Sequence, residues 1–455
     1  MNTHCAARWS LSLLFILSVS GIAPADTALF FQRNELEIPK VLSGQTATAN
    51  AAWWGFNTSD VTDSLQAAID SGAKTVFVPY MGSPWITRPV RLRGGQEIIL
   101  EPGVVIQAKR GEFKGKSDCL LKAEDQNDIT IRGYGATLRM WKKDYQGPDY
   151  AKGEWRMTLA FTGCKRIRVE GLRCESSGGD GVYIGSSERN HWCEDVVIRD
   201  VICLDNYRQG ISVISAVNLL IENCTLAQTR GTAPGSGIDL EPDLPGERMV
   251  NCMVRNCVVE DNEGHAILIY LKPLTKESEP VSIRFENCLV RMNRGQTSAA
   301  RGDNNVPGRA GIAVEAVRDD GPQGIIEFRN CVVENSGQEG VKLEDKSANG
   351  VRVRFTHCSW KNAWDADYPT YGGPRVPILL TLWNPEVTRH QGGIEFEQCA
   401  VYDTLDRPVL WEDNERSEAG LTDVTGDITV PNPYNARVQL GPYTQKIQLQ
   451  LHAAQ

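Results

Sequence analysis

DGVYIG at residues 180–185 returns as QGISVI (209–214), SGIDLE (236–241), HAILIY (265–270), AGIAVE (310–315) and EGVKLE (339–344). The second position holds Gly181, Gly210, Gly237, Ala266, Gly311 and Gly340, at spacings of 29, 27, 29, 45 and 29 residues. Between them runs a second set: IRVEGL, VIRDVI, LIENCT, MVRNCV, RFENCL, EFRNCV, RFTHCS and EFEQCA. Short β-rich units recurring at a fixed period, parted by Gly and Asn turns and with no helix between, specify a solenoid of parallel strands. The expected fold is all-β, a single-stranded right-handed parallel β-helix whose coils stack at about 4.8 Å.

Two columns of the repeat have a structural meaning of their own. Asn223, Asn256, Asn287 and Asn330 recur at one turn, where asparagine tolerates left-handed backbone and bonds locally. Cys224, Cys257, Cys288, Cys331, Cys358 and Cys399 share the next slot and read as a stack of small apolar side chains in the interior. Of thirteen cysteines, none lies in a CxxC pair and none has zinc-site spacing with histidine.

The flanks complete the plan. MNTHCAARWSLSLLFILSVSGIAPADT reads as a secretory leader cut after Ala25, so the expected product is secreted or periplasmic. Its apolar run is too short to span a bilayer, and no other stretch approaches that length. NTSDVTDSLQAAIDSGAKTVFVP predicts a helix capped by Ser59 or Asp60, burying Leu65 and Ile69 and ending at Gly72. Such a helix covers the open end of a solenoid. The expected divisions are a signal peptide (1–25), an N-terminal segment (26–50), the β-helix (51–420) and C-terminal strands or a cap (421–455). A formal charge of −9 with scattered basic residues argues against nucleic acid as a partner.

These features resemble the pectin lyase-like superfamily of right-handed parallel β-helix proteins, over roughly residues 50–420. That group includes polygalacturonases, polysaccharide lyases and alginate epimerases, so the resemblance implies a polysaccharide or oligosaccharide partner. Specific motifs are sparse. Of the polygalacturonase pattern only GGDG at 178–181 remains, which carries over Asp180. NYRQGISVIS is similar to an epimerase coil at Arg208, but Gln209 stands where that family has histidine. Asp239-Leu240-Glu241 resembles the acid-x-acid pair of calcium-dependent lyases, without their lysine and arginine at the matching offsets.

Strand alternation sorts the repeat further. Val182/Ile184, Ile211/Val213, Ile238/Leu240, Ile267/Ile269, Ile312/Val314 and Val341/Leu343 should point inward. One outward column then runs Tyr183, Ser212, Asp239, Leu268, Ala313, Lys342. The other runs Gly185, Ile214, Glu241, Tyr270, Glu315, Glu344. Asp239 and Glu241, with Glu315, form the expected acid–base set of a glycoside hydrolase. Arg208 and His265 flank it as further catalytic candidates. Asp180, Tyr183, Tyr270, Lys272, Lys342 and Glu344 are the expected substrate contacts on the groove they share. Long interruptions at 141–156, 296–309 and 363–375 would wall that groove. The expected protein is a monomer needing no cofactor and acting on a complex or acidic polysaccharide. A calcium-assisted lyase or uronate epimerase, and a non-catalytic carbohydrate-binding protein, are the alternatives.

Overall fold

The computed structural model describes residues 30–291, 309–364, 375–384, 389–414 and 418–453. The expected signal peptide and most of the interruptions at 296–309 and 363–375 lie outside these residues. Each middle coil contributes three strands, as in Ile238–Leu240, Met249–Arg255 and Val258–Glu260. Every strand pairs in parallel with its counterpart one coil away. This is the right-handed parallel β-helix that the repeat predicts.

The sheet that begins each coil aligns Tyr183 with Ser212, Asp239, Leu268, Ala313 and Lys342 in successive strands. All twelve residues assigned to the interior are buried, at 1% exposure or less. Stacking is also visible in the aromatic rings. Phe285, Phe328, Phe355 and Phe396 lie nearly parallel, with centroids 5.0–5.3 Å apart. That separation is the coil spacing itself, because identical positions in neighbouring coils must meet face to face.

Turn chemistry follows the same logic. Asn223, Asn256, Asn287 and Asn330 all have φ between +51° and +55°. The Asn287 amide donates to Asn256 Oδ1 and the Asn330 amide to Asn287 Oδ1, both at 3.2 Å. His357 and Gln398 continue the column in the same left-handed conformation. The twelve cysteines among the described residues are free and buried. Cys224 N–H donates to Cys257 Sγ at 3.4 Å, so the thiols do contact from coil to coil.

At the N-terminal end the helix Thr62–Asp70 buries Leu65, Ala68 and Ile69. The capping position is Val61, but Asp60 Oδ1, one residue earlier, accepts the Thr62 N–H at 2.9 Å. Asp60 also pairs with Arg88 at 3.1 Å and Lys109 at 2.9 Å. Burial raises its pKa, yet Thr62, Lys109 and Arg88 outweigh that and hold it at about 2. Asp60→Ala is therefore expected to cost about 1–2 kcal/mol at neutral pH. A depressed carboxylate stabilises above its unfolded pKa, so the wild-type advantage should fade as pH falls from about 4 toward 2. Thermal melts of both proteins across that window check the sign. At the other end, Leu421–Val430 and Ile447–Ala453 pair in parallel with the preceding coils. The stack thus runs on through the segment expected to act as a cap. Among the described residues, no helix is long and apolar enough to cross a membrane.

Candidate functional site

The outward face of the sheet built on Met249–Arg255 is electrostatically balanced. Glu222 lies between Arg199 and Arg255, and Glu327 bonds Arg284 and Arg329. Such ladders are ordinary surface pairs worth little each. The sheet carrying Asp239 differs: its acids outnumber its bases, and several are removed from water.

One cluster forms around Arg208. Its guanidinium lies 3.2 Å from Glu241 Oε2, 3.9 Å from Asp180 Oδ2 and 4.0 Å from Glu154 Oε1. Asp239 Oδ2 accepts from the Gln209 amide at 2.7 Å, while Oδ1 has no partner. Four acids therefore share one guanidinium. Burial, then the neighbouring Glu241 charge, pushes Asp239 well above the usual carboxylate range, against the pull of Arg208. Asp180 is fully buried without a hydrogen bond to either oxygen, and burial raises its pKa to about 7. Like charges this close disfavour each other, so the Glu241 charge adds to burial in favouring the protonated form of Asp239.

The sequence placed Asp239 on an open groove wall, and here the structure corrects it. Asp239 is 1% exposed and Ser212 in the same column also 1%. Alternation gives the side of the sheet, not what lies over it. Gln209 covers Asp239 from the preceding coil, and Arg208 with the 141–156 segment closes the edge. Glu241 is the more accessible member of the pair, at 27% of its side chain. Asp180 is likewise an interior acid rather than a surface contact. Tyr183 packs on Cys119, Met157 and Ala160, so its ring is largely committed to the fold.

A second cluster follows along the same face. Tyr270 aligns with Glu315, and Glu315 with Glu344. Lys342 Nζ lies 3.7 Å from Glu315 Oε1 and bonds Glu344. His265 Nε2 approaches Glu315 Oε1 at 3.3 Å. Burial lifts the Glu315 pKa, but His265, Lys342 and Arg309 outweigh it and hold it at about 2. Burial and the nearby Glu241, Glu315 and Glu344 charges raise Tyr270, which marks it as the meeting point of the two clusters. His265 is buried at 1% and burial lowers its pKa, so it belongs with Glu315 and not with Asp239. Lys272 stands exposed in the turn after Tyr270, outside both clusters.

Sequence reasoning passed over Gln209, Glu154 and Glu339. Gln209 and Glu339 occupy the position before the glycine, the column that also holds Asp180 and His265. The backbone stacks that column directly, as Gly181 N–H to Gln209 C=O and Gly311 N–H to Glu339 C=O show. Reading it beside the other two would have revealed both. Glu154 arrives from the 141–156 loop, whose path no repeat predicts.

Calcium does not suit the Asp239–Glu241 pair. A guanidinium already stands against Glu241, and the other acid is buried, bonded to an amide and raised in pKa. Among the described residues, no group of three or more His, Cys, Asp or Glu side chains is arranged to hold a metal ion.

A family model described as a right handed beta helix region matches residues 157–349. No curated protein matches the sequence. Among solved structures, the family 28 exopolygalacturonase of Yersinia enterocolitica superposes with a TM-score of 0.58 at 11% identity, covering 89% of this chain and 78% of its own. The A-module of mannuronan C-5 epimerase AlgE6 from Azotobacter vinelandii gives 0.53 at 12% identity, covering 90% and 99%. The Agl-KA catalytic domain gives 0.54 at 12% identity, covering 83% and 68%. These likenesses establish a shared backbone architecture.

Proposed function

We propose that this chain, a right-handed parallel β-helix that resembles the pectin lyase-like superfamily, is a glycoside hydrolase acting on a polysaccharide laid across the sheet of Asp239. The similarity to an exopolygalacturonase and a mannuronan C-5 epimerase supports a glycan as the substrate class. The observation that carries the hydrolase reading is the pair of carboxyl centres flanking Tyr270. One is the Asp239–Glu241 pair, in which the Asp239 pKa is raised, and the other is Glu315, held at about 2.

Each centre has a role in that chemistry. Glu241, the accessible member of its pair, gives a proton to the glycosidic oxygen as the C–O bond breaks, and Asp239 behind it supplies the replacement. Glu315 draws a proton from the water that attacks the sugar carbon on the opposite side. Glu241 and Glu315 stand two coil steps apart, about 10 Å along the stack, which is room for that water and leads to inversion at the anomeric carbon. Arg208 keeps Glu241 in place, and Tyr270 forms the floor between the acids. An exported monomer fits the leader-like sequence at 1–25 and a site built from one chain.

The test is the purified protein on a panel of plant and algal polysaccharides. New reducing ends, no ultraviolet-absorbing product and an inverted fresh anomer by NMR are expected. An unsaturated product would replace this reading with a lyase, and unchanged polymer length would replace it with a binding protein.

A further inference from the structure

Beyond Glu315 the same face opens into a cavity of about 470 Å³, spanning the coils of Lys342, Thr381 and Asp413. Its wall contains a buried acid that the reaction above does not use. Glu339 is 4% exposed, lies three coils past Ser236, and has an Oε2 without a hydrogen-bond partner. Burial raises its pKa to about 7 against the pull of Lys342. His265, two coils earlier in the same column, has an Nδ1 without a hydrogen-bond partner, while its Nε2 faces Glu315 Oε1 at 3.3 Å. Unpaired buried polar atoms cost free energy unless something supplies the missing bonds.

The remaining walls say what that is. Trp364 and Trp383 border the cavity, and Trp383 presents 58% of its surface to solvent. A large exposed indole beside buried donors and acceptors matches a molecule with one apolar face and a ring of hydroxyls. The lining cations, Arg309 and Lys342, are matched by Glu344 and Asp413. Lys342 is moreover engaged by Glu344 and Glu315. The cavity thus has no surplus positive charge with which to hold a carboxylated sugar.

We propose that this cavity is a binding site for an uncharged pyranose residue, stacked on Trp383 and hydrogen-bonded through its hydroxyls to Glu339 and His265. The inference deepens the hydrolase reading, since the cavity lies on the same face one coil beyond Glu315, and it narrows the substrate to a glycan with neutral residues. It does not depend on turnover.

Binding is measured by calorimetry on the Asp239→Asn protein, which removes cleavage from the readout. The probes are hexasaccharides of β-1,4-, β-1,3- and α-1,3-linked glucose, mannose and xylose, alongside hexagalacturonate. At least one neutral hexasaccharide is expected to bind more tightly than hexagalacturonate. Trp383→Ala, a change at an exposed position that leaves the core intact, should weaken that binding about tenfold. Glu339→Gln, which preserves shape, should weaken it about threefold or more. Preference for hexagalacturonate, binding of no probe, or unchanged affinity in both variants overturns the proposal. Turnover of a polymer with both variants' affinity unchanged leaves the hydrolase standing without this cavity. Neutral-sugar binding that both variants weaken, with no polymer cleaved by the wild-type protein, leaves the cavity standing without the hydrolase.

Discussion

Asp239→Asn is expected to lower kcat on the identified polysaccharide by about 100- to 10,000-fold, the usual worth of a positioned proton donor. The substitution keeps the side-chain carbonyl that accepts the Gln209 amide at 2.7 Å. It removes the titratable carboxyl whose pKa burial and the Glu241 charge raise. Secondary structure and melting temperature should therefore change little. Glu241→Gln should cost a similar factor, and the double variant scarcely more, because both deletions break one carboxyl unit. The pH profile separates this from a structural role. An acid must be protonated to act, so wild-type turnover should fall as pH climbs through the raised Asp239 pKa. It should persist toward low pH, where Glu315, held at about 2, stays ionised. Full turnover in Asp239→Asn on a cleaved substrate would remove this residue from the chemistry.

The second large effect concerns the core. Phe328→Ala is expected to destabilise the protein by about 3–5 kcal/mol. Its ring lies between Phe285 at 5.2 Å and Phe355 at 5.0 Å, all at 0% exposure. A coil on each side is fixed by strand pairing, so the space cannot collapse and the loss includes a cavity. Solenoids distribute stability over neighbouring units, so the damage should centre on the three coils that hold these rings. Hydrogen exchange of the strands Val281–Glu286, Gly324–Arg329 and Arg352–Thr356 should accelerate more than that of Thr75–Val78. An unchanged denaturation midpoint would show that the ring stack adds nothing beyond strand pairing.

Much of this architecture was legible in the chain. The recurring glycine set the coil, alternation assigned Val182 through Leu343 to the interior, and the Asn and Cys columns marked a turn and a core slot. Each of these depends only on position within one coil, which is what a repeat displays. The 45-residue gap before Gly311 exposed an insertion without saying where it goes. The environment of the acids was less legible. Whether Asp239 meets solvent depends on Arg208 and Gln209 one coil before it and on Glu154 from non-repeating backbone. Burial then decides which carboxyl holds a proton. His265, expected only as a flank of the acids, meets Glu315 in particular, a neighbour that the stack and not the chain order sets.

The cysteine column has a consequence for how the molecule comes into being. If the chain is exported to an oxidising compartment, as proposed, free thiols stacked from coil to coil stay reduced there only because nothing can reach them. Their protection is a property of the finished stack, absent from a chain still threading its way into place. Assembly must therefore outrun oxidation, each new coil sealing the sulfur of the one before. A chain opened later in air carries twelve candidates for wrong pairing, so the path in and the path back are not equivalent.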